Sequence, residues 1–192
     1  MTALSSTFSA SPRSGFTLIE MITTVAALVI LLGLMVSLAR DVRNRSATEL
    51  TEEVLVKVER LVWQYASKNG GHVPDVPAVI VPGTAIVSEE AIRDIAWKNN
   101  EQFVKSLRRM AVMSREFGDL PVSMYDETNL KDSWGRPIVL MSGMHPAIGM
   151  AAGNRPFLFS AGPDGRYLTR DDNLYSYDSS KAGPVETTTP ED

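Results

Sequence analysis

The chain contains no cysteine, only two histidines and fewer basic than acidic residues. Without cysteine there is no disulfide framework, no thiolate metal site and no cysteine nucleophile. The formal net charge is -4, so the chain lacks the positive field that draws proteins onto phosphate backbones. We therefore expect no nucleic-acid partner.

The motifs of common enzyme classes are also missing. The sequence has no phosphate-binding glycine loop, no Gly-x-Ser-x-Gly elbow and no His-Glu-x-x-His pattern. His145 stands directly before Pro146, which is typical of a loop residue rather than a catalytic base. We expect that the chain is not an enzyme.

A long apolar run stands near the N-terminus. Residues 16–39 contain Glu20 as their only charged side chain. As a helix this run would be about 36 Å long, which is enough to cross a hydrocarbon core of about 30 Å. Residues 1–15 are polar and end in the small residue Gly15, whereas a secretory signal is cleaved after its apolar run. This order predicts a leader at 1–15 and a transmembrane helix at 16–39.

The junction reads Gly15-Phe16-Thr17-Leu18-Ile19-Glu20 and resembles the processing site of type IV prepilins and of type II secretion pseudopilins. The resemblance implies cleavage by a prepilin peptidase after Gly15 and N-methylation of Phe16. It also implies that Glu20 pairs with the N-terminus of a neighbouring subunit and sets the register of a filament. An ionised carboxylate within a bilayer needs such a partner or becomes protonated. The alternative is a simple anchor whose Glu20 lies near the headgroups.

Basic residues follow the apolar run. Arg40, Arg43 and Arg45 stand against Asp41, while the leader offers only Arg13, so the positive-inside rule alone would leave the C-terminal part in the cytoplasm. The resemblance implies the opposite orientation, with a single span in a bacterial inner membrane and the C-terminal domain in the periplasm. In that orientation the arginines would snorkel or pair with neighbouring subunits.

Apolar periodicity predicts two helices beyond the membrane. Residues recurring every three or four positions from Leu50 to Ala66 predict an amphipathic helix over 40–70 that ends near Asn69-Gly70-Gly71. In 71–130 we expect a proline-containing loop and then a second helix. That helix would begin at the N-cap Ser88 and run to Phe117-Gly118, with Asn99-Asn100 as a candidate interruption.

The remainder is strand-like and completes an α+β fold. We expect a small antiparallel sheet in 131–181, with strands at 138–141, 157–160 and 174–177. The turn from Asp132 to Pro137 would use a positive φ at Gly135 and bury Trp134 in the core. Residues 182–192, which combine threonines, prolines and acids, are predicted to be disordered.

Asp132–Pro137, Phe159–Gly165 and Asp171-Asp172 are similar to the C-terminal region of the major pseudopilins of type II secretion. The resemblance covers roughly the first 40 and the last 60 residues, and 71–130 resembles an insertion. The glycine-rich run that commonly follows the Asp-Gly turn in that family is absent. A minor or lineage-specific pseudopilin is therefore an open alternative.

Major pseudopilins hold a calcium ion in this region. The resemblance implies ligands at Asp171 and Asp172, helped by Asp164, by the Asn173 side chain or by backbone carbonyls around Leu168. Calcium takes about six to eight oxygen ligands in flexible geometry, which such a loop can supply. The alternative is that Asp164 belongs to a plain hairpin turn and that Asp171 and Asp172 are solvated.

The resemblance implies a structural subunit of a type II secretion pseudopilus, which assists export of folded proteins across the outer membrane. The partners would be the prepilin peptidase, other pseudopilins or copies of the same chain, and an inner-membrane assembly platform. One alternative is a surface type IV pilus for adhesion, motility or DNA uptake, against which the missing cysteine pair counts. Another is a membrane-anchored binding domain that never polymerises.

Overall fold

The computed structural model describes residues 17–80 and 88–177. The helices are α1 (Leu18–Lys68), α2 (Glu89–Arg108) and α3 (Ala111–Gly118), and a short 3-10 helix lies at Ala152–Asn154. The strands are β1 (Val139–Met141), β2 (Phe157–Ser160) and β3 (Leu174–Tyr175). The predicted α+β class with a long N-terminal helix is confirmed, whereas the predicted leader and disordered tail lie outside the described residues.

The N-terminal part of α1 belongs to a unit of its own, which ends at Val42. Its apolar side chains point outward; Leu18 is 80% exposed and Leu34 is 63% exposed. α1 is long and apolar enough to cross a membrane. A continuous apolar surface of this size is stable only when lipid or another protein covers it.

The second half of α1 is amphipathic, as predicted. Its buried side chains recur at spacings of three and four and are Thr51, Val54, Leu55, Val58, Leu61, Val62 and Ala66. The helix ends where the Gly71 amide donates to the Ala66 carbonyl at 2.8 Å. Gly70 has a φ of 65° and Gly71 a φ of 87°, a left-handed conformation that glycine adopts without a Cβ penalty. The predicted helix end is confirmed.

α2 begins at the predicted N-cap, since the Ser88 hydroxyl accepts from the Ala91 amide at 3.3 Å. The prediction of one helix up to Gly118 was wrong. α2 ends at Arg108, and α3 starts after Met110, whose φ of -95° and ψ of 118° are extended. Neither glycine nor proline marks this break. The bend lets Met113 and Phe117 enter the core.

Asn99 and Asn100 do not interrupt α2; they are fully buried and bind the neighbouring backbone. Asn99 donates to the Leu140 carbonyl and accepts from the Leu140 amide, both at 3.0 Å. Asn100 donates to the Leu130 carbonyl at 2.7 Å and accepts from the Leu130 amide at 2.9 Å. The helix tolerates both residues because their amides bind the backbone of β1 and of Leu130 rather than compete for helical hydrogen bonds.

The three strands pair antiparallel in the order β1-β2-β3, with Leu140 opposite Leu158 and Phe159 opposite Tyr175. The predicted strand at 157–160 is confirmed, and the strands predicted at 138–141 and 174–177 are confirmed with shorter ends. Because side chains alternate across a sheet, Leu140 and Leu158 pack with the buried face of α1. The opposite face carries a second cluster, made of Val139, Met141, Phe157, Phe159, Tyr175, Tyr177, Tyr167, Ile92 and Ala96. The sheet is thus buried on both faces.

Trp134 was predicted to be a core residue, and this was wrong because it is partly exposed. Asp132 takes the buried position of that turn instead, and its carboxylate holds the Trp134 amide at 2.9 Å. The large fully buried ring nearby is Tyr167, which packs edge-on against Phe159 with ring centroids 6.0 Å apart. Gly135 has the predicted positive φ, at 83°.

Candidate functional site

Two parts of the chain carry the predicted functional residues: the start of α1 and the loop between β2 and β3. The predicted cleavage and methylation residues, Gly15 and Phe16, lie outside the described residues. Glu20 lies in the first turn of α1 and is exposed.

The neighbours of Glu20 on α1 are exposed apolar side chains and the threonines Thr17, Thr23 and Thr24, none of which carries a charge. The side chains of Leu18, Ile19 and Ile22 are 80%, 69% and 58% exposed, respectively. Across residues 17–80 and 88–177, no hydrogen bond or ion pair engages the Glu20 carboxylate. An exposed apolar helix therefore presents one uncompensated acid, which is costly in lipid unless a cation or a proton neutralises it.

The backbone of Glu20 is well satisfied. Its amide donates to the Thr17 hydroxyl at 3.3 Å, and its carbonyl accepts from the hydroxyls of Thr23 and Thr24 at 3.0 and 2.7 Å. Thr17 thus acts as the N-cap of α1, and Thr-x-x-Glu is a helix-start signature that our reading of the sequence missed. A carboxylate in the first turn also interacts favourably with the helix dipole.

The second candidate site is the loop 161–173, which Glu89 holds from the first turn of α2. The two carboxylate oxygens of Glu89 accept from the backbone amides of Tyr167 and Leu168, at 3.0 and 2.9 Å. These bonds join residues almost eighty positions apart in the chain. Sequence reasoning assigned Glu89 only to the helix start, because nothing in the local pattern signals this long-range contact.

Close backbone packing also shapes the loop. Gly162 has a φ of 61°, and a Cβ there would lie 1.9 Å from the Asp172 carbonyl oxygen. A Cβ on Gly165 would lie 2.3 Å from the guanidinium carbon of Arg136, which donates to the Gly162 carbonyl. Packing against backbone thus requires glycine at 162, whereas at 165 glycine is favoured by its φ of 73° and a side chain would also displace the Arg136 guanidinium.

Asp132 links the preceding turn to this loop. Its carboxylate accepts from the Arg136 amide at 2.9 Å and from the Ser160 hydroxyl at 2.6 Å. The Ser160 hydroxyl in turn accepts from the Gly162 amide at 3.0 Å. Burial raises the pKa of Asp132 above its usual range, and these donors partly offset that effect.

The far end of the loop is tied down by Tyr175. Its hydroxyl donates to the Ile148 carbonyl, and the Arg170 carbonyl lies 3.1 Å from the same hydroxyl oxygen as an alternative acceptor. Burial raises the pKa of Tyr175 to about 12, so the hydroxyl stays protonated and remains a donor at neutral pH.

The predicted calcium ligands differ in whether other groups of the protein already hydrogen-bond to them. Asp164 accepts from the Arg166 amide at 2.9 Å, and the Leu168 amide is held by Glu89. Asn173 is buried and donates to the Tyr167 carbonyl at 2.9 Å, but its Oδ1 atom has no hydrogen-bond partner. Asp171 and Asp172 are exposed, and within the described residues no hydrogen bond occupies their carboxylates.

The donor atoms are of the type that calcium prefers, since Asn173 Oδ1 and the carboxylates of Asp171 and Asp172, which are adjacent in sequence, are all oxygen atoms. Within the part of the chain that the structure describes, no group of three His, Cys, Asp or Glu side chains is placed to hold a metal. A bound ion would therefore need backbone carbonyls as well. Calcium binding stays a prediction.

No protein-family model, no curated protein and no solved structure matches this chain. The architecture of a long apolar N-terminal helix, two further helices and a small antiparallel sheet is compatible with a pilin-like protein.

Proposed function

We propose that this protein is a structural, non-catalytic subunit of a type IV pilin-like filament, and specifically of a type II secretion pseudopilus that assists export of folded proteins. In this proposal a prepilin peptidase cuts after Gly15 and Phe16 becomes the methylated N-terminus. The subunit stays in the bacterial inner membrane through one span, with its C-terminal domain in the periplasm. It then joins other pseudopilins or copies of itself on an inner-membrane assembly platform.

The observation that carries the proposal is the Glu20 carboxylate, which is free of described partners on an exposed apolar helix. A single-pass anchor needs no acid there, because every charged group in lipid lowers its stability. A polymer gains from it, because the N-terminal amine of a neighbouring copy can neutralise the carboxylate in one relative position only. Glu20 would thereby convert a membrane anchor into an assembly element.

The amphipathic half of α1 supports the same role. Its buried face belongs to the core of the C-terminal domain, in which Leu55 and Val58 are fully buried. The second half of α1 is therefore a structural part of that domain. Calcium, when bound, would neutralise the carboxylates of the loop and link the loop oxygen atoms that coordinate it. Asp171, Asp172 and Asn173 would hold the ion, helped by Asp164 and the carbonyl of Leu168.

The decisive experiment is the N-terminal sequence and intact mass of the protein from its native membrane, with and without an active prepilin peptidase. We expect a mature chain that begins with methylated Phe16 only when the peptidase is active. A chain that keeps residues 1–15, or is cut beyond Ala39, would contradict the proposal and leave a plain anchor or a secreted domain.

A surface type IV pilus is distinguished by where polymers occur. Filaments outside the cell, seen by electron microscopy after native expression, would replace the secretion role with a surface role.

A tag at the C-terminus that a protease reaches only after the outer membrane is opened would establish the periplasmic orientation. A tag protected until the inner membrane is opened would instead favour the orientation that the arginines at 40, 43 and 45 suggest.

A further inference from the structure

The exposed face of α1 beyond the membrane carries its charges in two separate blocks. Glu49, Glu52 and Glu53 form the acidic block, and Lys57 and Arg60 form the basic block one to two turns later. Together with Val56 these side chains line one shallow groove. Their spacing of three and four residues places them on one side of the helix, away from the buried stripe. We call this surface the charge stripe.

The charge stripe is unpartnered in the single subunit. Within residues 17–80 and 88–177, no ion pair engages any of its five charged side chains, not even Glu53 and Lys57 at the favourable spacing of four. Like charges at spacings of three and four repel one another, so the acidic block destabilises the isolated helix. Val56, 49% exposed, adds apolar surface at the centre of the stripe.

We propose that the charge stripe is the contact between α1 helices of neighbouring copies, with the acidic block of one copy against the basic block of the next. This inference rests on the proposed function, because it requires copies that stand side by side in one membrane. The partner that binds the charge stripe is a second copy of the chain, because the stripe contains both an acidic block and the basic block that would complement it. No other partner is needed to match it.

One axial offset satisfies both pairs. Glu49 and Lys57 are eight residues apart, and so are Glu52 and Arg60. At about 1.5 Å per residue, an offset of about 12 Å brings both glutamates level with a neighbour's cations. With no offset, glutamates would face glutamates and cations would face cations, which is repulsive.

Direction is restricted as well. An antiparallel pair could also match the blocks, but copies held by the same N-terminal span in one membrane share one direction. Each exposed ion pair is weak because water and salt screen it. The pairs recur at every contact of a polymer, so their effect on register adds up along the filament.

Cysteine cross-linking tests the offset, because the chain has no cysteine of its own. In the double variant Val56→Cys/Gln64→Cys the two thiols are about 12 Å apart along one helix, too far for a disulfide within it. We expect oxidation of native membranes that contain the full-length variant to give a ladder of dimers and larger multimers. The single variants Val56→Cys and Gln64→Cys should give none. Equal dimer formation by Val56→Cys alone would overturn the offset.

Charge reversal in the double-cysteine variant tests the pairing. Lys57→Glu with Arg60→Glu should abolish the ladder. Adding Glu49→Lys and Glu52→Arg exchanges the blocks and should restore it. Lys98→Glu with Lys105→Glu makes the same charge change on the exposed surface of α2 and should leave the ladder intact.

The outcomes separate this inference from the proposed function. A ladder that survives Lys57→Glu/Arg60→Glu, or that the exchanged stripe fails to restore while the protein remains in the membrane, overturns the charge stripe. The proposed function then still stands, provided polymers form and depend on Glu20. Absence of any polymer from the unaltered chain contradicts the proposed function and the stripe together.

Discussion

At the scale of single residues, Asn100 and Asn99 take the place of a neighbouring strand. Each side-chain amide donates to a backbone carbonyl and accepts from an amide of the same residue, as a paired strand would. Buried backbone groups need such partners because water cannot reach them. These two side chains therefore satisfy the buried amides of Leu130 and Leu140.

We expect Asn100→Leu to lower the free energy of unfolding by about 3 kcal/mol, since it leaves the Leu130 amide and the Ile138 carbonyl buried without a partner. The exposed neighbour variant Glu101→Ala should change it by less than about 0.5 kcal/mol. Urea unfolding of the full chain in micelles, followed by tryptophan fluorescence, measures both. Equal effects of the two variants would contradict the assigned role of Asn100.

Asp132 is a buried acid with a raised pKa, so the fold favours its neutral form. Its stabilising contribution is complete below the usual carboxyl pKa of about 4 and is lost as pH rises through the raised value. We expect the melting temperature of the parent chain, relative to Asp132→Asn, to fall across this window. Comparing the two chains also cancels the contribution of Asp126 to stability. The pKa of Asp126 is lowered, first by its contact with Lys131 and less by Thr128 and Asn129, so the contribution of Asp126 is lost at low pH instead. A difference that does not vary with pH would contradict this assignment.

At the scale of elements, the start of α2 closes the loop 161–173. Glu89 accepts from two loop amides, whereas Glu90 is exposed and no hydrogen bond among the described residues involves its side chain. We expect Glu89→Gln to destabilise the domain by about 1–2 kcal/mol, because the amide nitrogen cannot accept a hydrogen bond. Trypsin should then cleave faster at Arg166 and Arg170. Glu90→Gln is the matched control, and the same cleavage rate in both variants would argue against the clamp.

The same loop is where calcium would act. We expect calcium at about one hundred times its dissociation constant to stabilise the folded chain by about 2.7 kcal/mol, because it binds only the folded loop. Asp171→Asn with Asp172→Asn should remove this increment, and magnesium should not replace calcium. Thermal melting with and without chelator is the measurement. An unchanged melting temperature in the parent chain would remove calcium from the proposal.

At the scale of the whole molecule, Glu20 joins anchoring to assembly. We expect Glu20→Gln to be processed after Gly15 and to stay in the membrane, yet to lose polymers, because it cannot neutralise a neighbour's amine. Glu90→Gln, an acid removed from the head, should polymerise like the parent. Sedimentation after mild detergent extraction, together with the N-terminal mass, separates processing from assembly. Normal polymers of Glu20→Gln would favour an anchor that never assembles.

The features that were predicted correctly depend on neighbours in sequence. The buried stripe of α1, its end at Gly70-Gly71 and the N-cap Ser88 follow from spacing, a left-handed turn and a hydroxyl before acidic residues. The strands follow from short β-rich runs between glycines. Such signals act within a few residues, and a single sequence contains them in full.

The apolar run with its one acid and the α+β class were determined by the sequence by itself, whereas the calcium ligands Asp171, Asp172 and Asn173 stay a prediction from resemblance. The tertiary structure alone decided that Asn99 and Asn100 support the sheet, that Asp132 rather than Trp134 is buried, and that Glu89 holds the loop. It also decided the break between α2 and α3. The reason is physical: whether a polar side chain is buried depends on backbone groups far away in the chain, and only the folded molecule brings them within hydrogen-bonding distance.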